Sequence, residues 1–248
     1  MESKFLKEVQ FFPSLEVEVS LPSVTEKLRA LKNADKIHSI AHQKLKEMQG
    51  QWQPAALIRY FDIHLNPKMG TGSIRQKSGE AVSFNWGYSS LFLKPATHAM
   101  VSVHGIGEKL DLASAKASAR GELLEAYVIE LIGLTVLEKT TDIIKGMAED
   151  QARKMGWGVS PFLSPGSVHG WDLEEQSKLC KLLPIDKINV TMKNNCVLYP
   201  LKTISGLIGI GSAYEADTVG STCDVCSKRE TCQMNQHHLS GTFANERS

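Results

Sequence analysis

The chain has 248 residues, 42% hydrophobic and 22% charged, enough for one large domain or two small ones with a real core. Its 28 basic and 27 acidic residues leave a net charge of +1, which excludes a global field drawing in nucleic acid or an anionic membrane. Met1-Glu2-Ser3-Lys4-Phe5 lacks a basic region followed by an apolar run, and no stretch approaches the roughly 18 consecutive apolar residues of a membrane helix; the expectation is a cytoplasmic protein. Five cysteines, an odd number with three close together near the C-terminus, fit reduced thiols and metal better than disulfides.

Leu15 to Leu21 alternates apolar and polar residues and predicts a half-buried strand. From Ser23 the spacing of Val24, Leu28 and Leu31, then Ile37, Ile40 and Leu45, predicts helix. Ala56 to Leu65, Ala81 to Trp86 and Ala99 to Val103 are further strand candidates, and the glycines and charges from Pro67 to Glu80 predict an exposed hairpin or loop. The strongest element runs from about Arg120 to Lys154, where Leu123, Leu124, Tyr127, Val128, Leu131 and Ile132 mark one face at helical spacing and Ile143, Ile144 and Met147 resume it. Gly133 and Gly146 lie inside that helix, each costing up to about 1 kcal/mol against alanine, so close packing or a bend is expected. Gly156 and Gly158 end it. Asp172 and Glu175 predict a capping box opening a short helix closed by Pro184. Ile188–Met192 and Val197–Ile208 predict two strands around the turn at Asn194-Asn195. No internal repeat and no obvious linker interrupts the chain, which reads as one α+β domain over residues 1–213 with a cysteine-bearing tail over 214–248.

Cys223-Asp224-Val225-Cys226 followed by Cys232 is a C-x2-C-x5-C arrangement. Two cysteines three apart can grip one metal from a tight turn, and a third thiolate arrives from the next. Zinc would take a fourth ligand from His237, His238 or Cys196; an iron–sulfur cluster would fit three thiolates plus an outside ligand. His104, beside glycines at a strand exit, reads as a hydrogen-bonded structural residue, and Cys180 as a small hydrophobe in the core. Trp171 reads as an aromatic anchoring a loop, with stacking on a flat ligand as the alternative. There is no G-x-S-x-G elbow and no Walker A loop, and Gly105-Ile106-Gly107 lacks the third glycine of a dinucleotide fingerprint.

Three segments, in order, resemble the activation domain of cobalamin-dependent methionine synthase. Leu123-Leu124-Glu125-Ala126-Tyr127 through Leu137-Glu138, following Val101-Ser102-Val103 and His104-Gly105-Ile106-Gly107, is similar to that domain's long central helix. Ser164-Pro165-Gly166, followed by Trp171 and Leu173-Glu174-Glu175-Gln176, is similar to its ligand loop running into a short helix. Ile188-Asn189-Val190-Thr191 through Tyr199-Pro200-Leu201-Lys202-Thr203-Ile204-Ser205-Gly206 is similar to its closing strands. The resemblance covers about residues 15–213. It implies a single α+β domain with a long central helix packed on a mostly antiparallel curved sheet, standing as a separate small protein.

The resemblance also implies a role in corrinoid metabolism. Such a domain binds S-adenosylmethionine and presents its methyl group to the cobalamin of a partner, so the expected partner is a corrinoid protein or cobalamin-dependent methyltransferase whose cobalt is reductively reactivated. Ser164, Pro165, Gly166, Ser167, His169 and Trp171 are the implied ligand-binding residues, with Glu138 the counterpart of a ligand-facing glutamate. Cys223, Cys226 and Cys232 are the metal candidates. The family's loop arginine and tyrosine are replaced by Phe162 and Ser167, and a glutamate of its closing strands by Asn194. Losing a charge-assisted arginine–carboxylate contact, worth about 1.5–3 kcal/mol, predicts adenosylmethionine binding weakened by roughly ten- to a hundredfold, and Phe162→Arg with Ser167→Tyr is expected to restore it. Two other classes fit the same residues: an electron-transfer protein with an iron–sulfur cluster in its tail, and a non-catalytic corrinoid-binding chaperone. A nucleic-acid-binding zinc ribbon is disfavoured by the near-zero charge.

Overall fold

Two strands with apolar residues on both faces organise the chain. Ala55–Asn66 (β2) and His98–Gly105 (β5) run antiparallel, Leu57 opposite Val103 and Ile58 opposite Ser102. Alternate residues point to opposite faces, so Leu57, Phe61 and Ile63 line one side and Ala56, Ile58 and Tyr60 the other, all buried. A strand with both faces buried needs a layer on each side.

The computed structural model describes residues 8–28, 34–76, 78–167, 171–220 and 225. The curved antiparallel sheet adds Thr71–Arg75 (β3), Ala81–Asn85 (β4), Gly158–Val159 (β6) and Thr203–Gly211 (β9) in the order β4-β3-β2-β5-β9-β6. Gln10–Phe12 (β1) pairs with β2 beside β3. Thr191–Met192 (β7) and Leu198–Tyr199 (β8) form a separate two-stranded ladder.

The helices are Leu21–Thr25 (α1), Ala34–Met48 (α2), Ser90–Leu93 (α3), Lys109–Ala119 (α4), Leu123–Arg153 (α5) and Gln176–Cys180 (α6). The 31 residues of α5 give it a length of about 46 Å at 1.5 Å per residue. Its first half packs against the other helices, with Ala126, Ile129, Ile132 and Val136 meeting Val24, Ile37, Ala41 and Leu110. Its second half lies on the sheet, where Ile144, Ala148 and Ala152 cover Ile58, Tyr60, Met100 and Ile208. The opposite face of the sheet is covered by the segment from Trp171 to Leu198, through Trp171, Leu179, Cys180, Leu182 and Val190. This is the single α+β domain with a long central helix that the sequence predicts.

Local differences have physical causes. Residues 15–21 keep the expected alternation, Leu15, Val17 and Val19 turned inward, yet form no sheet ladder; the strand is the preceding β1. Their partners are Pro54 O, which accepts from Leu15 N–H at 2.8 Å, and the Trp52 indole, which donates to Val17 O at 3.3 Å. The segment 67–80 is a true hairpin carrying β3. Asp172 makes no side-chain cap, and the turn after it is a 3-10 turn, Leu173–Glu175, leading into α6. The closing segment splits at Pro200 into the short β7–β8 ladder and the long β9. Residues 214–220 and Val225, the described part of the C-terminal segment, lie on the body. Tyr214 donates to Phe92 O at 2.7 Å, Phe162 N–H to Gly220 O at 3.1 Å and Val219 N–H to a Glu149 carboxylate oxygen at 2.7 Å; Val225 is buried.

Lys202, 5% exposed at the start of β9, ties the sheet to the helices. Its ammonium donates to Asp111 of α4 and, at 2.8 Å, to Glu130 of α5, while Asp111 also accepts from Leu201 N–H at 3.1 Å. Gly133 makes room for it, since a Cβ there would run into Lys202 Cδ and Cε. The glycine inside α5 is therefore a close-packing position. Lys202→Met, which keeps the stem and removes the charge, leaves Asp111 half-enclosed without its counter-ion. It should lower unfolding stability by about 3 kcal/mol in urea denaturation.

Candidate functional site

The loop after β6 follows the free edge of β9. Leu163 and Leu207 exchange backbone hydrogen bonds, at 3.0 and 2.8 Å, and one step on Ser164 Oγ donates to Ser205 O at 2.6 Å. Ser164 and Pro165 are buried, and Ser167 is exposed. The loop is closed by Gly166 N–H donating to Trp171 O at 2.8 Å and Ser167 N–H to Ser164 O at 3.2 Å. Gly166 has φ +77°, a left-handed conformation that favours glycine, with Leu173 against the place a Cβ would take. Trp171 is 1% exposed and packs in the core with Leu179 and Val190, as an anchor rather than a stacking platform. Thus Ser164, Pro165, Gly166, Ser167 and Trp171 form one structural unit; His169 lies outside the described residues, as do Cys223, Cys226 and Cys232.

Glu138 lies on α5, and its half-exposed carboxylate pairs at 2.7 Å with Lys27, from the turn after α1. That pair is not joined to the loop by any hydrogen bond or ion pair among the described residues. The same side of α5 carries Leu123, Tyr127 and Leu134, all exposed at helical spacing, with exposed Leu201 beside Lys202. Asn194 sits at the exposed turn between β7 and β8.

Phe162 corrects one expectation. Its ring points into the core between the sheet and α5, 2% exposed, over Gly206, where a Cβ would run into it. That a glycine of the closing segment faces an aromatic ring from the loop is a relation visible only in three dimensions. An arginine at 162 would bury its guanidinium there rather than present it to the loop, so the paired substitution cannot restore the family pattern at that place.

Beside Phe162, His104 is fully buried, its ring centroid 6.2 Å from the phenyl ring in an edge-on arrangement. Its Nε2 is 2.9 Å from Thr141 Oγ1, whose hydroxyl donates at 2.8 Å to Leu137 O, one residue before Glu138. Burial pushes the His104 pKa down to about 3, so the ring is neutral. Cys180 is likewise buried, and its thiol is pushed up to about 11 by burial. Gln176 links this face to the closing ladder: it accepts from Ser205 Oγ at 2.8 Å and donates to Cys196 O. No group of three or more His, Cys, Asp or Glu able to hold a metal occurs among the described residues, and no helix among them is long and apolar enough to cross a membrane.

No protein-family model matches the chain, and no curated protein matches it. Among solved structures it is similar to the MetH reactivation domain bound to AdoHcy, with a TM-score of 0.60 and 11% identity, over 85% of this chain and 81% of that one. The likeness in fold agrees with the resemblance read from the three sequence segments.

Two outcomes follow from this geometry. Phe162→Arg should destabilise the protein by about 3 kcal/mol or more in thermal or urea unfolding, whereas Ser167→Tyr at an exposed position should change stability by less than about 0.5 kcal/mol. Because His104 is neutral when folded and binds a proton near its ordinary pKa when unfolded, its contribution is complete above pH 6.5. It is lost as pH falls toward 3, at up to about 1.4 kcal/mol per pH unit. A His104→Gln variant should show a flatter stability–pH curve across that window.

Proposed function

We propose that the chain is a reactivation module for a corrinoid protein, docking on a cobalamin-dependent methyltransferase and positioning a methyl donor of the S-adenosylmethionine type for its cobalt. The observation that carries this reading is the likeness in fold to a reactivation domain whose solved form holds AdoHcy, the compound left when adenosylmethionine gives up its methyl group. The exposed turn of the loop Ser164–Ser167, anchored from the core by Trp171, is the proposed ligand surface, and Glu138 on α5 is the proposed acidic contact.

The residues fit such a ligand in part. A tight turn held by Gly166, with exposed Ser167 at its tip, gives a firm edge for a small polar molecule. Glu138 is the acidic group suited to a ligand's ammonium, once Lys27 exchanges partners. Among the described residues of the loop no lysine or arginine stands ready to take the carboxylate, and Phe162 is turned into the core. Bound ligand would supply an activated methyl group; the protein's part is orientation. The exposed stripe of Leu123, Tyr127, Leu134 and Leu201 supports the docking half of the reading, because large apolar side chains at the protein surface are what a partner covers.

Calorimetric titration with S-adenosylmethionine and AdoHcy, with and without the cobalamin-binding domain of a methionine synthase, tests the proposal. Binding should be weak for the chain alone, and measurable or tighter with the cobalamin domain present. Micromolar binding by the isolated chain would overturn the weak-ligand part, and no ligand or cobalamin-domain binding in either format would overturn the function. Leu134→Glu should weaken association with the cobalamin domain at least tenfold while leaving the melting temperature within a few degrees.

We further propose that Cys223, Cys226 and Cys232 hold zinc or an iron–sulfur cluster. Their spacing supports this, as does Val225, buried against the body between the first two. Cys223→Ser with Cys226→Ser should abolish bound zinc and iron in elemental analysis and leave the far-ultraviolet circular dichroism unchanged. Equal metal content would remove the proposal.

A further inference from the structure

Ser102 and His104 sit two residues apart on β5 and point to the same face, both fully buried. Each carries a polar atom without a partner among the described residues: the Ser102 hydroxyl and His104 Nδ1. The other hydrogen bonds fix which role each atom has left. The Thr141 hydroxyl spends its proton on Leu137 O at 2.8 Å, so at 2.9 Å from His104 Nε2 its oxygen accepts, and Nε2 carries the ring proton. Burial keeps the ring neutral, which leaves Nδ1 a bare acceptor.

The groups packed around these atoms cannot serve them. Ser102 faces Gly206 on β9 and Ile58 on β2; His104 faces Ile204 and Ala56. The Phe162 ring lies over Gly206 and edge-on to His104, and Ile144 of α5 is in the same apolar cluster. A hydroxyl and an imidazole nitrogen left bare in such surroundings would each carry the full cost of desolvation. Buried polar atoms are almost always satisfied, and where the protein offers no partner an internal water does so.

We propose that one water molecule is bound inside the protein between Ser102 and His104, beside the Phe162 ring. It accepts from the Ser102 hydroxyl and donates to His104 Nδ1. With the His104–Thr141–Leu137 links it completes a hydrogen-bonded chain from the middle of the sheet to α5, at the turn of the helix that carries Glu138. The chemistry sought is a neutral donor–acceptor of single-water size; an anion would meet the bare acceptor, and a larger ligand would meet Phe162. This inference stands apart from the proposed function and fails or survives independently of adenosylmethionine or corrinoid binding.

A high-resolution crystal structure of the full chain should show a water within about 2.6–3.2 Å of both Ser102 Oγ and His104 Nδ1. Absence of that density, or a Ser102 hydroxyl satisfied directly by another protein atom, would overturn the proposal. Ser102→Ala gives a second reading in solution, because the two situations predict opposite signs. If the hydroxyl is hydrated, its deletion strips the water of a partner and the folding equilibrium constant should fall about five- to tenfold. If the hydroxyl is bare, its deletion relieves a desolvation penalty and the constant should stay level or rise, which would count against the water.

Discussion

Burial of β5 on both faces is the constraint from which the rest follows. A strand lined by Met100, Ser102 and His104 on one side and Ala99, Val101 and Val103 on the other has no surface for solvent. One layer must be α5, whose second half presents Ile144, Ala148 and Ala152. The other must be the segment from Trp171 onward, which is too irregular to be a sheet and packs through single large side chains. The candidate loop gains its position from the same constraint: it runs along β9, the strand paired to β5, and so lies at the edge where the two layers meet.

Polar groups within this frame serve as ties between layers. Lys202 joins the start of β9 to α4 and α5, Gln176 joins the second layer to β9 and to the closing ladder, and His104 joins β5 to α5 through Thr141. Each is buried with its partners supplied by a different element, so each reports that the layers have come together in the right register. They also set the stiffness of the candidate site. Glu138 follows directly on the residue whose carbonyl ends the His104 chain, and the loop's Ser164 is fastened to Ser205 of β9, the strand that Lys202 immediately precedes.

Packing decides what position 162 can do in this chain. The core of this chain is apolar on β2, β5 and β9, and small where backbones or rings come close. At 162 stands an aromatic ring, accommodated by Gly206. A position that pointed a charge at a ligand in the family's pattern is, in this chain, part of the interior.

Some of this was legible in the residues alone. The periodicity from Leu123 onward fixed a long helix, β2, β4 and β5 were marked by runs of β-branched and aromatic residues, and three separated segments were enough to recognise the fold, because period and composition act locally. The strand expected at residues 15–21 did not form, since alternation reports which side is buried but not whether a neighbouring strand is available to bond. The cap expected from Asp172 failed because capping depends on the path by which the chain enters the turn. Tertiary structure alone decided that Gly133 houses Lys202 and Gly206 the Phe162 ring, and that His104 is neutral and partnered by Thr141. Each of these joins residues from about 37 to 70 positions apart, and no local pattern encodes which side chain will arrive at a gap.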